Sequence, residues 1–108
     1  MSNCIVIKIP NGAAISNDIN LYNYNSGIAI ELPAALTGTA IAIHGSIDGT
    51  NFKAIYNDNI ALSLTYTAST IHVISPVKLF GVERIRLVST GNEGAERSFN
   101  VVAISPVS

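Results

Sequence analysis

The stretch "TAIAIHGSIDGTNFKAIY", residues 39–56, decides the fold. Its first half alternates: Ile41, Ile43 and Ile47 fall on one side, and Ala40, Ala42, His44 and Ser46 on the other. Side chains of a strand point to opposite faces in turn, so a period of two over this length marks a half-buried strand and not a helix. His44 then points away from the core. Asp48 and Gly49 follow as a structural turn, because an aspartate can bind the backbone amides ahead of it and a glycine takes positive φ without penalty. "DGTN" therefore closes a hairpin onto "FKAIY", with Phe52 expected to begin the second strand inside the core.

The same pattern spreads in both directions. In "CIVIKI" Ile5, Ile7 and Ile9 share one face, and "GIAIEL" repeats the device with Ile28, Ile30 and Leu32. "ERIRLVS" turns Ile85 and Leu87 inward and Arg84 and Arg86 outward, while "FNVVAI" is apolar on both sides and reads as a central or interface strand. "LSLTYT" and "TIHVI" are further short runs, bounded by Gly, Pro, Asn, Asp or Ser. Pro10, Pro33, Pro76 and Pro106 fall at strand ends, where a missing amide costs little. No segment keeps helical spacing. The expectation is an all-β fold: one antiparallel, jelly-roll-like β-sandwich of about eight or nine short strands, spanning residues 1–108 as a single domain.

Charged residues make up 12% of the 108, against roughly 25% in an ordinary soluble domain. A small domain has much surface for its volume, so this shortage points to a surface partly covered by another protein, as in an assembly. The net charge is -1, with no basic run to release counterions from a phosphate backbone, which argues against a nucleic-acid partner. The apolar start "CIVIKI" is too short for a signal core or a membrane span, so no membrane partner is expected and the chain is read as assembled without export. Cys4 is the single cysteine; it has no second cysteine for an internal disulfide or a metal-binding pair.

Candidate chemistry reduces to ordinary structure. His44 and Ser46 lie two apart on one strand face, as a base and a hydroxyl would, but no oxyanion loop or glycine elbow accompanies them. His72 sits alone in an apolar strand and reads as a hydrogen-bonded structural residue. Asp48, Asn51, Asn57, Asp58 and Asn59 offer calcium-type oxygens without the spacing of a calcium loop, and turn chemistry explains them better. Glu93 and Glu96 in "STGNEGAER" could pose as an acid pair, but two residues of one flexible, solvated loop do not face each other across a cleft. No enzyme, no cofactor and no metal are expected. Tyr22 and Tyr24 in "LYNYNSG", with nearby asparagines, could stack on sugars or serve a protein contact.

Taken together, "VIKIPNGAAIS", "GIAIELPAALTGTAIAIHGSIDGTNFKAIYND", "ISPVKLFGVERIRLVS" and "RSFNVVAI" resemble small β-sandwich structural proteins of tailed-bacteriophage virions, nearly end to end. The pieces carrying most of the resemblance are residues 45–52, "GSIDGTNF", and residues 84–87, "RIRL". His44 departs from the aromatic or glutamine common before the Gly-Ser pair, and "PAALTGTA" lacks a tryptophan often present there. The resemblance implies a capsid decoration or cement protein. It would be made in the host cytoplasm, sit on the capsid surface bound to the major capsid protein, and form a homo-oligomer with a trimer favoured. The candidate interface residues are Tyr22, Tyr24, His44, Arg84 and Arg86. The alternative is a carbohydrate-binding or tail/baseplate attachment module.

Overall fold

A computed structural model describes residues 2–21, 28–57, 59–74 and 81–104. Where β-branched residues alternate with smaller or polar ones the chain is extended, and eleven strands form among the described residues. These are β1 Ser2–Ile9, β2 Ile15–Asn20, β3 Ile28–Glu31, β4 Ala40–Ser46, β5 Lys53–Ala54, β6 Tyr56–Asn57, β7 Ile60–Ala61, β8 Ser63–Thr65, β9 Ile71–Ile74, β10 Arg84–Ser89 and β11 Arg97–Ile104. All their pairings are antiparallel. No helix among the described residues is long and apolar enough to cross a membrane.

Two sheets carry the architecture. One has the order β1-β11-β3-β9, the other β2-β10-β4-β5, with β8 also paired to β4. β5 meets β4 at His44 and Gly45, and β8 meets the same strand at Ala40–Ala42, so the two short pieces run in one direction along one edge. Between them β6 and β7 fold out as a hairpin whose neck is closed by the Leu62 amide donating to the Ile55 carbonyl at 2.8 Å. Counted as one interrupted strand, β5 and β8 leave eight principal positions, shared four and four in the winding of a jelly roll. The excess over eight or nine strands arises from this interruption.

The two inner faces share one core. Ile7, Ile9, Phe99, Val101, Ile28 and Ile30 come from the first sheet and Ile41, Ile43, Ile85 and Leu87 from the second, all nearly or fully excluded from water. Each such side chain contributes roughly 1.5–3 kcal/mol relative to exposure. Gly45 sits where the inward row of β4 would place another side chain; a Cβ there would lie 2.8 Å from both Ile55 Cδ1 and Val82 Cγ1. Its hydrogen lets those two close under the strand end.

Strand parity fails at one informative place. Ile47 does not continue the inward row of Ile41 and Ile43 but is 81% exposed, because β4 ends at Ser46 and the chain bends out of the sheet. In β9 the inward members are His72 and Ile74, while Ile71 and Val73 face solvent at 65% and 79% exposure. β9 ends its sheet, and among the described residues no strand pairs with its outer edge.

Candidate functional site

The bend after β4 is held by its own polar atoms. The Ser46 hydroxyl donates to Asp48 Oδ1 at 2.8 Å and accepts from the Gly49 amide at 2.8 Å and the Asp48 amide at 3.3 Å. Asp48 Oδ1 also accepts the Thr50 and Asn51 amides, each at 2.8 Å, and Asp48 Oδ2 accepts Asn51 Nδ2 at 2.8 Å. The Asn51 and Thr50 amides, then the Asn51 side chain and the Ser46 hydroxyl, hold the Asp48 pKa well below the usual carboxylate value. Gly49 has φ +82°, and a Cβ on it would sit 3.2 Å from Glu83 Oε1. Both carboxylate oxygens of Asp48 accept hydrogen bonds within the turn. Asp48→Ala should therefore speed hydrogen exchange at the Thr50 and Asn51 amides while leaving β10 amides protected; unchanged exchange at both would show that the loop does not depend on the carboxylate.

Beside this turn lies a groove of about 740 Å³. Its walls include Ile47, Phe52, Lys53, Val82 and Arg86. Phe52 is half-buried on the outer side rather than in the core, and the Arg86 guanidinium carbon lies 4.4 Å from its ring centroid, a cation–π contact. The aromatic is diverted because the turn delivers it past the strand end, where Arg86 from β10 covers it. His44 lies opposite Arg86 in the ladder; its pKa is lowered by burial first and then by the Arg86 charge. Arg84, one step along the same face, is committed to Asp18 on β2 at 2.8 Å. Of the five candidate interface residues the structure thus brings His44, Arg84 and Arg86 onto one outer face. Tyr22 and Tyr24 lie outside the described residues, as does Asp58 of the calcium-type set.

At the opposite end of the sandwich, the loop joining β10 to β11 exposes residues 90, 92 and 94–96 to solvent but turns the carboxylate of Glu93 inward. Glu93 is 1% exposed. Its carboxylate accepts the Thr37 amide at 2.8 Å, the Gly38 amide at 3.0 Å, the Ser89 hydroxyl at 2.7 Å and Arg97 Nε at 2.9 Å. Its backbone is tied as well: the Glu93 amide donates to the Ala13 carbonyl at 2.8 Å and its carbonyl accepts the Gly12 amide at 2.7 Å. Burial alone would raise the Glu93 pKa, but these donors overcome it and bring it down to about 2. Glu96 is apart, pairing with Lys8 at 3.6 Å on the surface, so the two glutamates do not face a common substrate. No group of three His, Cys, Asp or Glu gathers as metal ligands among the described residues. His72 Nε2 lies 3.3 Å from the Thr70 hydroxyl.

Sequence reasoning missed the Glu93 clamp and the Arg86–Phe52 stack. The first had one local trace, Ser89 and Arg97 placed four residues either side of Glu93. Thr37 and Gly38 are more than fifty residues away and leave none.

The two sheets, of orders β1-β11-β3-β9 and β2-β10-β4-β5, define the class as a β-jelly roll. No protein-family model matches the chain, and no curated protein matches it. Among solved structures, the chain is similar to the crystal structure of the SPBc2 prophage-derived protein YomS. The likeness covers 97% of this chain and 96% of that one, with a TM-score of 0.63 and 8% sequence identity. It is a likeness of fold, shared with a protein of prophage origin.

Proposed function

We propose that the protein is a structural component of a tailed-bacteriophage virion: a capsid decoration or cement protein that binds the lattice of the major capsid protein from outside. The observation that carries this reading is the fold shared over almost the whole chain with a prophage-derived protein. The low charge of the chain and its exposed apolar residues support it. Ile71 and Val73 stand on an edge strand that carries no charged side chain, and Tyr56 and Ile60 stand on the projecting hairpin. Such surfaces suit contact with protein better than with water. A homo-oligomer, with a trimer favoured, would cover part of them on a local symmetry axis. In this reading the protein acts by adhesion and not by catalysis.

Particles lacking the protein should break open at lower temperature than complete ones, and adding it back should restore their stability. Equal heat resistance of the two, with the protein located only at the tail, would defeat the head reading and favour a tail or baseplate component.

A further inference from the structure

The charged residues are not distributed evenly between structure and surface. Five of the Lys and Arg residues are described: Lys8, Lys53, Arg84, Arg86 and Arg97. Three of them are ion-paired, Lys8 with Glu96, Arg84 with Asp18 and Arg97 with Glu93. The other two, Lys53 and Arg86, have no carboxylate in reach among the described residues, and both line the groove beside the 47–52 turn. Asp48 lines it too and keeps its negative charge, but its carboxylate is held toward the turn by bonds from Ser46, Thr50 and Asn51. The guanidinium of Arg86 is fixed in orientation by its contact with the Phe52 ring, which leaves its terminal nitrogens as the donors open to a ligand in the groove. A planar fork set in place in this way matches a carboxylate, which can take two parallel N–H donors.

We propose that this groove binds an acidic sugar, with the sugar carboxylate on Arg86 and Lys53. The remaining walls fit the remainder of such a ligand. Ile47, Ile55 and Val82 supply apolar surface for the C–H face of a pyranose, and Thr50 and Asn51 border it with polar groups for hydroxyls. About 740 Å³ suits one or two sugar rings rather than an extended chain. Two cations against the one ionised carboxylate of Asp48 leave the groove with a single net positive charge, and with no basic run around it this favours a single organic acid over a polyphosphate. The site uses neither the β9 edge nor the projecting hairpin, but it includes Arg86, one of the candidate interface residues, so its test is made on the isolated chain, apart from any lattice contact.

The test is an amide NMR titration of the full chain with sodium glucuronate, alongside glucose and inorganic phosphate. Glucuronate should cause saturable shifts at Asn51, Lys53 and Arg86 that glucose does not. Arg86→Gln should abolish them, and Lys53→Gln, an exposed change that spares the fold, should weaken binding by about ten-fold. The proposal is overturned if glucuronate gives no saturable shift, if glucose or phosphate binds as well, or if Lys53→Gln binds like the native protein.

Discussion

Glu93→Ala should cost ~3–5 kcal/mol of folding stability, the usual penalty for removing one partner from a buried ion pair. The variant leaves Arg97 Nε, the Ser89 hydroxyl and two backbone amides of 37–38 facing a void, each having lost an acceptor at 2.7–3.0 Å. Against a total stability of ~5–15 kcal/mol for an ordinary domain this is a large fraction, and a fall in Tm on the order of 20 °C should follow. Glu93→Gln should lose less, since one oxygen still accepts. The same carboxylate makes the native protein acid-sensitive in a defined window. Its folded pKa is about 2 against an ordinary value of 4.5, so its contribution is complete above pH 4.5 and is lost as the pH falls through 2. That contribution is ~3 kcal/mol, and it should be missing from the pH profile of Glu93→Ala. Urea titrations of both proteins at neutral and acid pH would measure it; parallel profiles, or a loss at neutral pH under about 0.5 kcal/mol, would refute the clamp.

Phe99→Ala should be comparably damaging, by ~3–5 kcal/mol, for a different reason. Phe99 is 0% exposed and stands on β11, opposite Ile7 of β1. No polar group is stranded by its removal; the loss is transfer energy plus the cavity left among side chains that cannot all move inward. Phe99→Leu should recover most of it, because volume is largely kept. The denaturant midpoint should shift with its slope unchanged. A loss below about 1 kcal/mol for the alanine variant would mean that the two sheets close over the gap.

What the sequence makes legible is what repeats with a short period. Ile7 and Ile9, Ile28 and Ile30, Ile41 and Ile43, and Ile85 and Leu87 are all inward, because strand parity is a local rule that needs only neighbouring residues. It stops being reliable where a side chain competes with the ladder for backbone amides. Ser46 captures the amides of residues 48 and 49, the strand ends there, Ile47 leaves the core position that parity gives it, and Phe52 does not reach the core position expected of it after the turn. Long-range polar contacts are illegible for the opposite reason. Glu93 in a glycine-bearing loop looks solvated until Thr37 and Gly38 arrive from the other sheet connection, and Arg86 looks like one more outward charge until Phe52 comes to lie against it. The candidate groove is assembled in this way from residues forty positions apart, so its parts are visible in the sequence but their meeting is not.

The strand interrupted between β5 and β8 separates length from register. Both halves are fixed independently on the same edge of β4, and the chain between them leaves and returns through the neck at Ile55 and Leu62. Residues added to or removed from that excursion shift no ladder on either side. The excursion is in effect a replaceable cassette, a place where this jelly roll can gain or change a contact surface while the core keeps its alignment.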